Sequence, residues 1–346
     1  MAGFQKKHIK TVVFILLSVV LLYLVFRSIN DPEKKEQILT GLNNANWFWL
    51  FVSIGIAIFS HLFRALRWDI AVEPMGYKIK NSRAFYSVMI GYLVNLATAR
   101  GGEIARCAII SQTDKIPINV LIGTVLTERL VDLICLIIVI LTAFAFQSEI
   151  LGEFLMDNLI NPLLSLGWLG ILVFVIGIGG FLFLTWLVSS TKGRALLMKL
   201  PMGKKIVDTL NGFVEGLSSI AKLKRPKLYF LYTLGIWVCY WLMTYAVFFC
   251  FDFSSDRGPI VGLTALIFAS IGMIIPAPGG MGALAVVIAG LTSIYGFSEI
   301  DATLISSTSL SANIILIATI GTFSLLMLAI ERRKYGLNDK TDNSAA

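Results

Sequence analysis

Long apolar segments separated by shorter polar ones run along most of this chain. A membrane-spanning α-helix needs roughly 20 predominantly apolar residues. Segments that approach or exceed this length predict spanning helices at 11–27, 47–70, 119–146, 166–188, 229–251 and 303–330. Two further apolar regions, 84–111 and 259–296, are interrupted by glycine and proline, which end or kink helices. The pattern predicts an all-α, polytopic membrane bundle with two broken helical hairpins.

The two interruptions have distinctive sequences. The first reads Ala-Arg-Gly-Gly-Glu at 99–103 and the second Pro-Ala-Pro-Gly-Gly-Met-Gly at 276–282. Irregular backbone at membrane depth is tolerated only inside protein or beside a water-filled cavity, so both breaks indicate a cavity. A hairpin tip also presents backbone N–H groups that favour an anion. Small residues at the second break allow close approach to a ligand or to the first tip, although a simple kink is the alternative: they are Pro278, Gly279, Gly280 and Gly282.

Composition and loop charge agree with a membrane protein and orient it. The chain is 57% hydrophobic and 14% charged, against about 25% charged in soluble domains. Lysine and arginine concentrate at the N-terminus, in 64–83, in 189–228 and after 330, whereas 147–164 carries only acidic charges. The positive-inside rule therefore places both termini in the cytoplasm.

The alternation of inside and outside loops constrains the broken regions. Helix 119–146 supplies one crossing between an inside and an outside loop, so 84–111 contributes an even number, as a re-entrant hairpin or as paired short spans. The same count applies to 259–296. We therefore predict a single transmembrane domain, 1–333, with repeat-like units 47–146 and 229–330 in inverted orientation, as in many transporters. The remainder, 334–346, is predicted to be a short polar cytoplasmic tail.

Ionisable residues at or near membrane depth form the candidate site. Such residues are costly in a bilayer and usually face a protein interior or a wet cavity. Eight of them, with a net charge of +2, are predicted to bind an anionic substrate: Arg64, Arg67, Arg100, Glu103, Arg106, Glu128, Arg129 and Asp132. Arginine suits phosphate because its planar fork donates two hydrogen bonds at once. We expect the carboxylates to orient the arginines or to carry protons.

Structural explanations remain open for the same residues. Arg64 and Arg67 could extend to the headgroup layer, with Trp68 as an interface anchor. Glu103 could pair with a neighbouring arginine and close the hairpin as a salt bridge. His61 is interpreted as a satisfied core histidine rather than a proton carrier. Hydroxyl and amide side chains at 306–313 favour close packing of the last helix.

Several classes of function lack support in the sequence. The net charge of +8 comes mostly from loop residues and indicates membrane orientation, so no nucleic acid is expected as a partner. There is no P-loop, zinc-protease motif or nucleophile elbow, and no catalytic residue is predicted. Two histidines are too few for a histidine metal centre, and four cysteines form no CxxC pair. No metal or cofactor is predicted.

Four motifs, taken in order, resemble the lysylphosphatidylglycerol synthase transmembrane-region family, also called flippase-like. They are Arg64-Ala-Leu-Arg-Trp68, Arg100-Gly-Gly-Glu103 with Arg106, Glu128-Arg129 with Asp132, and Pro276-Ala-Pro-Gly-Gly-Met-Gly282. The resemblance covers about 10–332. It implies a bacterial or archaeal plasma-membrane protein that moves a lipid between leaflets. In some members the domain is fused to a soluble aminoacyl transferase, for which this chain has no room.

The sequence departs from the family pattern at one place, and it leaves three functions open. Many members carry an acidic residue or an aromatic–histidine pair after the second glycine cluster, where this chain has Leu284 and Ala285. The first function is a lipid transporter that binds an anionic phospholipid or a polyprenyl phosphate. The second is an integral-membrane transferase or hydrolase acting on a lipid-linked substrate. The third is a non-transporting scaffold for a partner enzyme of lipid or cell-envelope synthesis.

Overall fold

A computed structural model gives the fold of the chain. It describes residues 32–98, 101–161, 190–198, 222–273 and 280–334, together with positions 165, 167, 172, 179 and 186. Every regular element in these ranges is helical, which confirms the predicted all-α class. The predicted helix 11–27 and the tail after 334 lie outside the described residues, as does nearly all of 166–188.

The helices are numbered here in chain order through the described ranges. They are α1 Pro32–Asn43, α2 Trp47–Val72, α3 Asn81–Ala97, α4 Gly102–Asp114, α5 Ile118–Phe146, α6 Ser148–Leu155, α7 Thr191–Met198, α8 Pro226–Phe248, α9 Asp252–Ser255, α10 Pro259–Gly272, α11 Met281–Tyr295 and α12 Glu299–Lys334. A 3₁₀ turn, Glu73–Met75, follows α2, and a π-helical turn, Met156–Ile160, follows α6.

Helices α2, α5, α8 and α12 are long and apolar enough to cross a membrane. They confirm the spanning helices predicted at 47–70, 119–146, 229–251 and 303–330, with shifted ends. Helix α8 starts at Pro226 because proline at the first helical position has no N–H to leave unpaired. The polar side chain of Asn46 caps α2 by accepting a hydrogen bond from the Phe48 N–H at 3.2 Å.

Four helices lie where none is predicted: α1, α6, α7 and α9. Helix α1 precedes the first described span and is tied to the start of α12 by an ion pair between Lys34 and Glu299, 2.7 Å apart. Helix α6 occupies part of the segment 147–164, which the charge pattern indicates as a loop. Helices α7 and α9 lie in polar connections of the predicted topology. The sequence pattern misses all four helices because they are too short, and in part too polar, to resemble spanning segments.

The two broken regions are helical hairpins, formed by α3 with α4 and by α10 with α11. Their arms have 17, 13, 14 and 15 residues. At 1.5 Å per residue these lengths fall short of the roughly 30 Å hydrocarbon core. Length therefore favours re-entrant hairpins over paired crossings.

Glycine brings the arms of each hairpin into backbone contact. A Cβ atom on Gly102 would lie 1.9 Å from the carbonyl oxygen of Gly91, and one on Gly272 would lie 2.5 Å from the carbonyl oxygen of Gly282. Neither contact leaves space for a side chain. In the first hairpin the Asn95 side chain also accepts a hydrogen bond from the Gly102 N–H at 2.7 Å, so this N–H is not available to an anion.

The helix–hairpin–helix order occurs twice, and the two units make reciprocal contacts. Helix α3 packs on α12, and α10 packs on α5, so the first arm of each hairpin lies against the last helix of the other unit. Helices α2 and α8 pack side by side and run antiparallel. Arg67, late in α2, contacts Thr233, early in α8, whereas Ser53 contacts Met243. Such contacts are expected of inverted units, and the inverted repeat stays a prediction.

Ionic contacts join the end of α12 to the first hairpin. Glu331 accepts hydrogen bonds from Lys80 at 2.6 Å and from Arg83 at 3.2 Å. Arg83 also donates to Asp114 at the end of α4. The open end of the hairpin and the end of the last helix are therefore held together.

We expect Gly102→Ala to destabilise the protein, because the added methyl group would collide with backbone rather than with a flexible side chain. Overpacking of this kind costs about 1–3 kcal/mol, or more where backbone must move. Thermal unfolding of detergent-solubilised protein measures the change. Gly123→Ala on α5 is the matched control, since its Cβ would meet nothing within 4 Å. Equal melting temperatures for the two variants would contradict the close crossing.

Candidate functional site

The seven described residues of the predicted charged set come together between three helices. Helix α2 contributes two arginines, α4 an arginine and a glutamate, and α5 two acids and an arginine. We call this group the charge cluster: Arg64, Arg67, Glu103, Arg106, Glu128, Arg129 and Asp132. Arg100 lies outside the described residues.

Asp132 is shared by three guanidinium groups. Arg67 approaches one of its carboxylate oxygens to 3.0 Å, and Arg64 and Arg129 approach the other to 3.5 and 3.7 Å. Arg64 and Arg67 are 3% and 0% exposed. They therefore point into the bundle and do not extend to the headgroup layer, so that alternative is wrong.

Arg106 forms the second buried ion pair. One of its terminal nitrogens lies 2.7 Å from a carboxylate oxygen of Glu128, which is fully buried. Its guanidinium also lies over the ring of Trp68 at 4.6 Å, a cation–π distance. Trp68 is itself fully buried and donates a hydrogen bond from its indole N–H to Thr124. It is therefore a core residue, and its interpretation as an interface anchor is wrong.

Glu103 pairs with an arginine of the next helix and not with Arg106. Its carboxylate lies 3.0 Å from Nε of Arg129. This pair is more exposed than the other two, with 44% of the Arg129 side chain and 37% of the Glu103 side chain accessible. The spacing within α4 places Glu103 near Arg106, but α5 packs against α4 and supplies the partner of each. The cluster thus grades from a buried interior to an accessible edge.

Many polar atoms of the buried arginines have no hydrogen-bond partner among the described residues. They are Nε and Nη1 of Arg64, Nε and Nη2 of Arg67, and Nε of Arg106. One oxygen of Glu128 is in the same condition. Buried charged donors usually find partners because an unmade hydrogen bond to a charged group is costly. The arrangement is therefore suited to an additional acceptor-rich group.

Helix α8 completes the cluster with residues that sequence reasoning missed. Arg64 donates to the Tyr240 hydroxyl at 2.8 Å, and Arg67 donates to the Thr233 hydroxyl at 3.2 Å. Arg67 also lies 5.7 Å from the centre of the Tyr229 ring. Tyr229, Thr233 and Tyr240 recur at helical spacing, which could have indicated a polar face on this helix.

His61 lies one turn before Arg64 and is buried. Its ring contacts that of Tyr92 in a tilted arrangement, with centroids 4.7 Å apart and planes 47° from parallel. Neither of its ring nitrogens has a hydrogen-bond partner among the described residues, so the expectation of a satisfied core histidine is not met.

The second break stands apart from the charge cluster. Gly280 adopts a φ of +83°, a conformation that favours glycine, and it precedes α11. Gly282 lies at the crossing with Gly272. Pro278 and Gly279 lie outside the described residues. The close contacts of Gly280 and Gly282 are with α12 and with the facing hairpin arm, so their role in substrate binding stays a prediction.

An ion-pair group with an exposed arginine joins the start of α8 to the end of α2. Arg225 donates to Glu73 and lies 3.8 Å from Asp69. Asp69 also accepts a hydrogen bond from the Ile79 N–H, which orders the turn between α2 and α3. Hydrogen bonding to Glu73 raises the pKa of Arg225 above its ordinary value, so this arginine stays charged at neutral pH.

The fold and the site define a helical integral membrane protein with ionised side chains in its interior. The family described as the lysylphosphatidylglycerol synthase TM region matches residues 11–321, and the chain belongs to this family. The expected resemblance is thereby confirmed.

One curated relative is similar to part of the chain. A UPF0104 membrane protein of Methanocaldococcus jannaschii is 26% identical over 100 residues, which are 28% of this chain and 30% of that protein. The chain therefore matches less than a third of that relative's length. No solved structure matches the chain.

We expect Glu128→Gln and Arg106→Gln each to destabilise the protein by about 3–5 kcal/mol, since each leaves a buried charge without its partner. The double variant should recover most of this loss, because it buries two neutral amides. Unfolding of the two single variants and the double variant forms the measurement. The exposed pair of Lys34 and Glu299 is the control, and Glu299→Gln should cost about 1 kcal/mol or less. Additive losses in the double variant would contradict a specific pair.

Proposed function

We propose that the chain is a lipid transporter that binds the phosphate-bearing headgroup of an anionic lipid at the charge cluster and moves it across the membrane. The observation that carries the proposal is the sharing of one carboxylate, Asp132, by three arginines. Among the described residues Glu103 pairs with Arg129 alone, so the three guanidiniums keep a local positive excess over the two carboxylates. Membership of a family named for lysylphosphatidylglycerol synthase supports a lipid as the source of the anion.

The hydrogen-bonding capacity of the cluster fits phosphate. Arg64 and Arg67 each use one terminal nitrogen on Asp132, and each keeps Nε and the other terminal nitrogen without a partner among the described residues. Phosphate oxygens accept paired N–H groups of this kind bidentately. The carboxylates then hold the arginines in position, which is one of the two roles expected for them.

The graded exposure of the cluster suggests a route of entry. Glu103 and Arg129 form its accessible edge, whereas Arg64, Arg67 and Arg106 lie inside. A headgroup would first meet Arg129 and would then be transferred to the buried arginines. The positive-inside assignment, which is part of this proposal, places the arginine end of α2 on the cytoplasmic side.

The ion pairing weighs against the transferase or hydrolase alternative. A general base needs a carboxylate free to accept a proton from substrate. Glu103, Glu128 and Asp132 each accept hydrogen bonds from, or pair with, arginine. The charge cluster is therefore better suited to binding than to proton abstraction.

We expect Arg64→Lys to weaken retention of the lipid while keeping the positive charge. Lysine cannot reproduce the planar fork. Hydrogen bonds to charged groups contribute about 1.5–3 kcal/mol each, so the loss of affinity should be about tenfold or more. Native mass spectrometry of gently extracted protein measures the bound lipid, and its mass distinguishes a phospholipid or polyprenyl phosphate from inorganic phosphate.

Arg257→Lys is the matched control for this measurement. Arg257 is an arginine that lies over the Phe297 ring at 4.8 Å and is outside the charge cluster. The control should retain lipid like the wild type. Equal retention by Arg64→Lys, or no selective anionic lipid on the wild type, would count against the proposal and favour a structural role for the cluster in a scaffold protein.

A further inference from the structure

The buried face of α2 is polar, although the helix is long and apolar enough to span the membrane. Ser53, Ala57, Ser60 and His61 precede Arg64 along this face and are all buried. The opposite face carries large exposed apolar side chains: Phe48, Phe51, Phe59 and Leu62. A membrane helix that is polar inside and apolar outside is expected where the interior lines a wet passage.

A small cavity lies at the end of this face that is distant from the arginines. It has a volume of about 10 Å³ and is lined by Ser53, Ile54, Ala57, Met243, Ser309, Ala312 and Asn313. That volume holds about one water molecule. The lining belongs to α2, α8 and α12, so the cavity lies between the two repeat-like units. Its side-chain hydroxyls and amide are uncharged.

A large fraction of the membrane thickness separates this cavity from the charge cluster. Ser53 and Arg64 are 11 residues apart, or roughly 16 Å along a helix, about half of the ~30 Å hydrocarbon core. His61 lies between them, with both ring nitrogens unpartnered among the described residues. Ser60 is also buried in this interval. Polar side chains of α2 therefore lie between the cavity and Arg64.

We propose that the headgroup leaves the charge cluster along the α2 face from Ser53 to Arg64, together with Asn313 of α12. The small cavity is then a second, uncharged binding position on this passage. The proposal rests on the proposed function for the identity of what moves. Transport requires binding that is strong enough to capture a substrate and weak enough to release it. Arginines suit capture of a phosphate, whereas hydroxyl and amide groups hold phosphate or hydroxyl oxygens weakly and allow release.

The size of the cavity indicates that the passage is closed in this structure. A single water fits, and a headgroup does not. Helix α12 packs on both α2 and α8, so its displacement would widen the cavity without separating Arg67 from Asp132. Passage therefore requires movement of α12 against the α2–α8 pair.

Cysteine labelling tests whether the passage is wet. Ala57→Cys should react with a charged, water-soluble methanethiosulfonate reagent in membrane vesicles, with the labelled peptide identified by mass. Phe59→Cys, two residues away on the apolar face, and Ala143→Cys, in an apolar cluster with Leu263, should not react. Because the passage is closed in this structure and opens only transiently, the reagent is applied in excess over a long exposure. Failure of Ala57→Cys to react under these conditions would overturn the passage, whatever the transport result.

A blocking substitution tests whether the headgroup uses the passage. Ala57→Leu should reduce transport to the rate of protein-free vesicles, measured with fluorescent phosphatidylglycerol in phosphatidylglycerol-containing vesicles by dithionite quenching. Retention of lipid in native mass spectra should equal that of the wild type, because the charge cluster is intact. Ala143→Leu is the matched overpacking control and should transport normally.

The outcomes separate the two proposals. Wild-type transport by Ala57→Leu would overturn the passage and leave the binding site in place. Absence of both bound lipid and transport in the wild type would overturn the proposed function, and labelling of Ala57→Cys would still decide whether the passage exists. Loss of transport with retained lipid in Ala57→Leu, together with labelling of Ala57→Cys, would support both.

Discussion

The shared carboxylate of Asp132 is the constraint on which the interior of this protein depends. It lies on α5 and holds two arginines of α2 within 3.5 Å, in a setting where unpaired charge would be very costly. Those arginines in turn reach Tyr240 and Thr233 on α8. One acidic side chain thus fixes the relative positions of three membrane helices. Buried ion pairs do not by themselves make a protein stable, but removing one partner is strongly destabilising.

Backbone contact complements this electrostatic centre at the two hairpins. Side chains are excluded where Gly91 meets Gly102 and where Gly272 meets Gly282, so each hairpin is narrow at its crossing. A hairpin with closely packed arms needs little space, so it fits between helices that are already joined by polar contacts. A glycine-to-glycine backbone crossing occurs in the hairpin of each unit. This is consistent with a common architecture, even though the sequences of the two units differ.

Much of this arrangement could be predicted from the sequence because membrane insertion imposes strong patterns. The described spans, the helical class and the paired broken regions follow from apolar length and from glycine and proline. Residues such as Arg106 and Glu128 are recognisable because charge is rare in such segments. Their partners were not predictable, since the pairing of Glu103 with Arg129 and of Arg106 with Glu128 is set by how α4 packs on α5. The hydroxyl partners on α8 could not be recognised from the sequence, because hydroxyl side chains are common in membrane helices and carry no charge.

The two alternatives for the α2 arginines differ in the direction in which the side chains point as well as in their depth in the membrane. Arg64 and Arg67 could have extended outward or inward from the same positions, and only the placement of α5 and α8 decides between them. The positions Leu284 and Ala285, where many family members are polar, lie on α11 in the second hairpin and not in the charge cluster. The departure therefore leaves the first hairpin's ion pairs unaffected.

The separation of Arg67 from its partners along the chain has a consequence for biosynthesis. Asp132 is 65 residues later, and Thr233 is 166 residues later. At 5–20 residues per second, the ribosome needs about 3–13 s to produce the carboxylate after the arginine has emerged. The arginines of α2 are therefore synthesised several seconds before Asp132, their counter-ion. During that interval, the apolar outer face of α2 would hold the helix at the membrane. Insertion and assembly of this protein are thus separate events in time, and any factor that shields charged helices during synthesis would act on α2 first.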